Sequence, residues 1–490
     1  MKLLVAIASY GQKNDKFLER VLLEYRSMPY HTDVVVFSNI HKNLGADVEV
    51  IVGLPCKNPW SLPFAHKTLF AERQNAYDLF LYSEDDMLVT QNNIEAFLAA
   101  SKVLPPKELV GFFQYEQYPD GRRFFPAVHG HFHWIPESVK SVDGYRFARF
   151  TNEHSACYLM TRCQLKEAIA SGGFLVPPHE GKYDLLVTAG TDPYTQCGFT
   201  KLVCISHFED FLVAHLPNRY AGTELGQDAP EFYRQIAALQ CVQQNGSAIK
   251  LLDAETNVFH CRWSKDYYES PRLDLLDCLP AQLSSLLSIG CGWGATEAVL
   301  VNEGCRVVGI PLDSVIGICA ESRGVETVYG DLEGALAQLS GERFDAVLMS
   351  GVLHLLPNPL KALQLAGRLL SDDGLLIATV PNLNRLPDLW KRLRQPRRFR
   401  HLGDFERSGM HAFNRRSARR LFTNSGLRIA DVVEVVPEQW RDIAALSGGI
   451  AAPLFSTEYI VVSLKTCPRK HGGSGTRLIE RETTRVPAAR

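Results

Sequence analysis

The sequence predicts an α/β protein made of two successive α/β units, and three observations predict it. Short apolar runs alternate with amphipathic segments through roughly the first 240 residues. A second alternation of the same kind begins at Leu283 and continues to about Lys465. Between them the pattern breaks into a helical piece, the turn-forming Asn245-Gly246-Ser247 and a polar, aromatic stretch, VFHCRWSKDYYESPR. A chain of 490 residues exceeds what one ordinary core accommodates. The expected division is therefore a first domain at 1–240, a linker at 241–278 and a second domain at 279–466, with a disordered tail at 467–490.

In the first unit, 3–8, 33–37, 48–52 and 79–82 read as strands because each is a short apolar, β-branched or aromatic run. Segments 17–25, 60–75 and 93–103 carry helical periodicity. An irregular stretch rich in aromatics, His and Pro fills 112–149, followed by strands at 156–161 and 202–206. In the second unit LSSLLSIG, CRVVGI, VETVYGD, FDAVLM and LLIATVPN read as five strands, and RIADVVEVV and EYIVVSLK as two later ones.

Composition excludes several classes. A net charge of -2 argues against a general nucleic-acid binder. No run approaches the roughly 20 apolar residues of a membrane span. The opening MKLLVAIASYG meets Gln12, Lys13 and Asn14 at once, so it reads as a buried first strand rather than a signal peptide. Twelve cysteines without metal-ligand spacing read as free thiols, and the expected location is cytoplasmic.

Two constellations carry chemistry. In the second unit the first strand ends in Gly290-Cys291-Gly292-Trp293-Gly294 ahead of a helical pattern. Such glycines allow a tight turn, close approach of a ligand and helix N–H groups facing it. Alone, that loop would also serve a nicotinamide or flavin. The ordered strand ends that follow, through Gly330-Asp331, FDAVLMSGVLHLLPNP and LLIATVPN, narrow the choice. From 286 to 465 the chain resembles the seven-stranded, Rossmann-like class I methyltransferases that use S-adenosylmethionine (SAM). The resemblance implies that Gly290, Gly292 and Gly294 line the methionine moiety and that Asp331 bonds the adenine amino group. Ser288 and Pro311 stand where that family has acids, and Asp313 is the expected substitute on the ribose. His354 and His411 are the candidate proton acceptors; either is also explained as a turn or packing residue.

In the first unit the strand YDLFLYS delivers Glu84, Asp85 and Asp86 in a row at its carboxyl end. Three adjacent acids repel unless something neutralises them, and a divalent metal (Mg or Mn) holding a diphosphate does so; a solvated turn is the plainer explanation. Residues 1–220 resemble, more loosely, nucleotide-sugar glycosyltransferases of the A-type fold (GT-A). The resemblance implies Glu84 and Asp86 as the main metal pair, Ala8, Ser9 and Tyr10 against the base, and a carboxylate base. Asp192 is the first choice for that base, ahead of Glu209 and Asp210. His129, His131 and His133 alternate and are expected to line an acceptor groove or to pack, with a metal triad as the alternative; His215 is expected near diphosphate. The expected protein is a bifunctional enzyme taking a nucleotide sugar and a glycan acceptor. The alternatives are a methyltransferase with a non-catalytic carbohydrate-binding half, and a scaffold with vestigial sites. Six basic residues without an acid at 391–400 suit a phosphate-bearing or membrane-linked acceptor, or simply a solvated loop.

Overall fold

The computed structural model describes residues 1–242 and 250–465. Asn245-Gly246-Ser247 and the tail at 467–490 lie outside the described residues. The first half is organised by strands β1 (Lys2–Ser9), β2 (His31–Ser38), β3 (Val48–Val52), β4 (Leu79–Glu84) and β5 (Cys157–Thr161), in the order β5-β4-β1-β2-β3. β1 runs parallel to β2 and β4, β2 parallel to β3, and β5 antiparallel to β4. Leu3 to Ile7 and Leu79 to Tyr82 are almost fully buried, as continuous apolar runs in a sheet covered on both faces must be. The parallel pairing sets Ala8 of β1 beside Glu84 of β4, so the acids emerge at the edge where open α/β sheets bind ligands.

The stretch 112–149, expected to be irregular, contains strands Phe113–Gln117, Arg123–Pro126, Trp134–Val142 and Tyr145–Phe150. Their alternation is interrupted by the turn at Pro119-Asp120-Gly121 and by left-handed backbone at His129, which hid them from a periodicity reading. They join two small sheets around an aromatic core in which Phe125 stacks on Phe232 at 4.4 Å and Trp134 packs on Phe150 at 4.9 Å.

The second half holds β6 (Ser285–Cys291), β7 (Arg306–Pro311), β8 (Glu326–Thr327), β9 (Phe344–Met349), β10 (Leu370–Pro381), β11 (Leu427–Val435) and β12 (Glu458–Lys465). Their order is β8-β7-β6-β9-β10-β12-β11, with β12 antiparallel to both neighbours and the other pairings parallel. This is a Rossmann-like α/β sheet whose order reverses at β6, which opens a crevice at the carboxyl ends of β6 and β9.

The stretch expected to link the halves does more than link them. Leu251, Leu252, Ala254, Val258 and Tyr267 are buried in the same core as Leu287 and Ile289 of β6, so 250–278 packs onto the second sheet. Its apolar residues have neither helical nor strand spacing, so the sequence carries no sign of their burial. The two halves also touch directly. Helix Ala229–Cys241 packs against helix Ser314–Glu321, Arg323 pairs with Glu231 at 3.1 Å, and the Tyr268 hydroxyl donates to Gln235 at 2.8 Å.

Candidate functional site

The glycine loop caps β6 and leads into helix Ala295–Asn302. Gly290 and Gly294 hold left-handed backbone at φ 79° and 83°. A Cβ on Gly290 would stand 2.4 Å from the Val352 side chain, and one on Gly294 2.8 Å from the Ala320 backbone. The loop is therefore a close-packed turn that only glycine fits. A strap from 263 to 269 crosses it. The Tyr267 carbonyl accepts from Trp293 N at 2.9 Å, and the Glu269 carbonyl accepts from Trp293 Nε1 at 2.8 Å. The Glu269 carboxylate accepts from Lys265 at 2.5 Å, from Arg272 at 3.2 Å and from the Ser350 hydroxyl at 3.2 Å.

A carboxylate from the following helix reaches Ser288. The buried Ser288 hydroxyl donates to Glu297 Oε1 at 2.6 Å, and Glu297 is 5% exposed. Burial raises the Glu297 pKa while the Ser288 hydroxyl opposes the shift. Sequence reasoning missed Glu297; the available signal was an acid in the first turn of a helix, three residues past the last glycine. Replacing Glu297 by Ala is expected to weaken SAM binding by about tenfold or more, the size of a lost charge-assisted hydrogen bond. Adding Ser288→Asp should restore it, as read by calorimetry with SAM; equal affinity in all three proteins would remove Glu297 from the site.

Asp313 is buried, caps helix Ser314–Glu321 through the N–H groups of Val315 and Ile316, and has its pKa raised by burial to about 6. Asp331 is exposed at the head of helix Leu332–Gln338, where it accepts from Gly334 N at 2.7 Å. His354 and His411 come together after β9, the His411 N–H donating to the His354 carbonyl at 2.8 Å. His354 Nε2 contacts the Trp263 carbonyl at 2.8 Å, so Nδ1 carries the lone pair, and it has no partner among the described residues. His411 stacks on Phe405 at 4.6 Å.

Beside these residues lies a cavity of about 630 Å³ walled by both halves. His133, Trp134 and Glu137 come from the first half, Tyr267 from the strap, and Asp313 and Phe405 from the second. The three alternating histidines do not share a strand face: 127–133 is irregular, and each ring goes its own way. His129 lies 3.8 Å from Asp184, His131 lies 3.1 Å from Asp266, and His133 stacks flat on Tyr267 at 4.1 Å. Two of the three thus join the first half to the strap over the glycine loop.

Burial pushes the pKa of His133 down to about 3 and that of His354 down to about 4. Both lie below the unfolded value near 6.5, so their neutrality contributes stability that is fully present above pH 6.5 and lost progressively as pH falls from there to about 4 for His354 and about 3 for His133. Over that fall the two rings are expected to remove on the order of 3 and 5 kcal/mol respectively. Thermal melts of wild type and His133→Phe, which keeps the stack and cannot titrate, check this: the variant should lose less stability in acid.

In the first half, β1 and β4 bring Ser9, Asn14, Asp85 and Asp86 together. Ser9 Oγ donates to Asp85 at 2.6 Å, and Asn14 Nδ2 bridges Asp85 at 2.7 Å and Asp86 at 2.9 Å. Arg219 lies 3.4 Å and His215 3.6 Å from Asp86. Glu116, which the sequence did not single out, sits behind them. It accepts from His215 at 2.5 Å and from the N–H groups of Arg219, Tyr220 and Ala221, fixing the loop that carries the arginine. Burial would lower the His215 pKa, but Asp86 and Glu116 raise it to about 9, so the ring is cationic at neutral pH. Burial together with Asp86 and Asp85 pushes Glu84 up to about 8, and burial with Asp86 pushes Asp85 up to about 6.

The divalent metal expected on Glu84, Asp85 and Asp86 finds no support in their surroundings, where the polar contacts come from a serine, an asparagine and two cationic side chains. Among the described residues no group of three or more His, Cys, Asp and Glu has the geometry to hold a metal ion. Asp192, expected as a proton acceptor, is wholly buried and ion-paired with Lys67 of helix Ala65–Arg73. Ala8 is half-buried beside Glu84, and Tyr10 is exposed beyond it. Glu209 pairs with Arg123, and Asp210 accepts from Asn92 at 3.0 Å, which leaves both outside the cluster.

Residues 263–432 match the family described as a methyltransferase domain. A ubiquinone biosynthesis O-methyltransferase of Xanthomonas oryzae pv. oryzae is 30% identical over 196 residues, which cover 37% of this chain and 75% of that protein. One from Cereibacter sphaeroides is 33% identical over 118 residues, 23% of this chain and 47% of the relative, so the chain spans about half the length of that protein. A crystal structure of a SAM-dependent methyltransferase from Archaeoglobus fulgidus is 18% identical, with a TM-score of 0.30, over 40% of this chain and 91% of its own.

Proposed function

We propose, from the premise that the chain belongs through its second half to the class I SAM-dependent methyltransferases, that it moves a methyl group onto an oxygen of a glycan. The observation that carries this reading is the cradle Gly290–Gly294 at the carboxyl edge of a parallel sheet, beside a cavity walled by both halves. The relatives from X. oryzae and C. sphaeroides are O-methyltransferases by name, which favours oxygen as the methylated atom. A polyhydroxylated acceptor suits the cavity. Glu137, Asp253, Glu255, Asp313 and Glu406 outnumber Lys250 on its walls, which disfavours an anion, and Trp134 supplies an apolar wall. His133 Nδ1 and Trp134 Nε1, just behind that wall, are buried without a hydrogen-bond partner among the described residues.

In this reading Gly290, Gly292 and Gly294 hold the methionine end of SAM, Asp313 the ribose and Asp331 the adenine, with Glu297 in place of the acid lost at Ser288. Bound SAM would supply an electrophilic methyl group on sulfur. The chain's own work is to orient the acceptor hydroxyl, keep water out with the 263–269 strap and take the departing proton. His354 Nδ1 is the candidate acceptor; burial makes it a weak base, so orientation carries more of the rate than proton abstraction. His411 positions the loop around it.

A second activity is favoured by the Asp85, Asp86, His215 and Arg219 cluster. Here the first half, folded in the A-type manner, binds a nucleotide sugar with Ala8 and Tyr10 against the base, and His215 and Arg219 serve the diphosphate without a metal. Transfer of that sugar to the same glycan would make tethering useful, since it raises the local concentration of the second site's substrate. Free thiols at the eleven described cysteines accord with a cytoplasmic setting. Mass spectrometry of cell-surface glycans with and without the gene tests both activities. Loss of an O-methyl sugar supports the methyl transfer, loss of the whole residue supports the sugar transfer, and an unchanged profile opposes both.

A further inference from the structure

Helix Leu386–Arg394 sits on the protein the wrong way round for a soluble surface. Its one buried residue is Asp388, which is paired with Arg262 and, at 2.7 Å, with Arg385. Leu386, Trp390 and Leu393, spaced by four and three so that they share one face, are 45%, 57% and 76% exposed. An ordinary surface helix buries its apolar stripe and shows its charges; this one buries a carboxylate and shows leucine and tryptophan.

The apolar face continues onto its neighbour. Helix Ala452–Phe455 packs against Leu386–Arg394, and the amide of Asn382, in the turn before the latter helix, donates to the Pro453 carbonyl at 2.8 Å and the Ser456 carbonyl at 3.0 Å. On and before that helix, Leu446, Ile450 and Leu454 are 88%, 86% and 44% exposed. Isolated exposed leucines need no explanation, but six large apolar side chains exposed on adjoining elements exceed ordinary scatter.

The charge beside the patch says what covers it. Lys391 to Arg400 holds six basic residues and no acid. Arg394 lies over the Trp390 ring at 4.6 Å, which places guanidinium and indole side by side at the rim. Tryptophan and leucine flanked by Arg and Lys are the composition of a helix lying in the interface of an anionic bilayer, where the apolar face enters the acyl boundary and the cations meet lipid phosphates. A protein partner would need acids among its apolar contacts, whereas an anionic membrane offers both over an extended plane.

We propose that helix Leu386–Arg394, with Leu446, Ile450 and Leu454, docks the protein on an anionic membrane surface. The same stretch of chain runs on through Phe405 to Gly409 in the wall of the shared cavity, so docking sets that cavity beside lipid-linked material. No described helix is long and apolar enough to cross a membrane, so the contact is peripheral.

Flotation of the full chain with vesicles tests this, and needs neither methyl nor sugar transfer, so its outcome is separate from that of the proposed activities. The chain should float with phosphatidylcholine vesicles containing about one third phosphatidylglycerol and remain behind with pure phosphatidylcholine; salt should release it. Leu393→Asp with Ile450→Asp should reduce partitioning at least tenfold, and each of Lys391→Glu and Arg397→Glu about fivefold. All four positions are exposed, so the variants should keep wild-type melting curves. Equal binding to both vesicles, no binding to either, or a dimer that dissociates in the double variant would overturn the proposal, the last by showing that a second copy covers the patch.

Discussion

Asp192→Ala is expected to lower the free energy of unfolding by about 3–5 kcal/mol, because it leaves the Lys67 ammonium alone in the protein interior. Both side chains are inaccessible: Asp192 is 0% and Lys67 2% exposed. Burial raises the carboxyl pKa and lowers the ammonium pKa, and their contact opposes both shifts. Lys67 also lies over the Phe64 ring at 4.6 Å, and His179 Nε2 is 3.4 Å from Asp192, so the pair is enclosed by ring faces rather than water. The pair joins helix Ala65–Arg73, behind β1 and β4, to helix Leu185–Thr195. Urea unfolding should show the midpoint fall with an unchanged slope. Lys67→Met with Asp192→Leu, which removes both charges, should recover most of the loss. A wild-type midpoint in Asp192→Ala would mean that the charge is not confined as the structure has it.

Gly292→Ala is expected to abolish SAM binding, with at least a hundredfold loss of affinity, and to cost about 1–3 kcal/mol of stability from overpacking. The added Cβ would stand 2.1 Å from the Tyr267 carbonyl oxygen and 2.8 Å from its carbon. Those are backbone atoms, so relief requires moving the strap off the loop rather than rotating a side chain. That movement breaks both bonds from Trp293 to the strap and withdraws Tyr267 from His133, so the damage should also reach the junction of the two halves. Gly304→Ala is the control. It is left-handed at φ 87° with nothing within 4 Å, so it should lose about 1 kcal/mol and keep its affinity for SAM. Calorimetry with SAM, alongside denaturant unfolding, separates the two; undiminished binding in Gly292→Ala would show that the loop tolerates displacement of the strap.

Much of this was legible in the sequence because it is local. The runs LLVAIAS and LFLYSE announce β1 and β4, and the glycines at 290, 292 and 294 announce a tight loop after β6. His354 and His411 were named from their place in the chain order, and they do meet. What escaped was non-local. Nothing near Ser288 says that Glu297 folds back onto it, since the contact depends on the angle between β6 and the helix that follows. Glu116 became part of the first site only when Phe113–Gln117 paired beside Leu212–His215. Asp192 lies in a polar-looking stretch, AGTDPYTQCG, and its burial depends on Lys67, 125 positions away.

By itself the sequence determined that the chain is α/β in both halves, where the strands of the main sheets run and where the glycine loop turns, because periodicity and glycine spacing are written in neighbouring residues. Only the tertiary structure decided which charges neutralise which. The acids at 84–86 look like a metal site as long as their surroundings are unknown, and become a hydrogen-bonded cluster with His215 and Arg219 once the chain returns. The same holds for the basic run at 391–400, which the sequence left open as an acceptor contact or a solvated loop and whose first part lies on helix Leu386–Arg394 with leucine and tryptophan turned outward. Periodicity gives a helix two faces; only packing says which of them meets the protein.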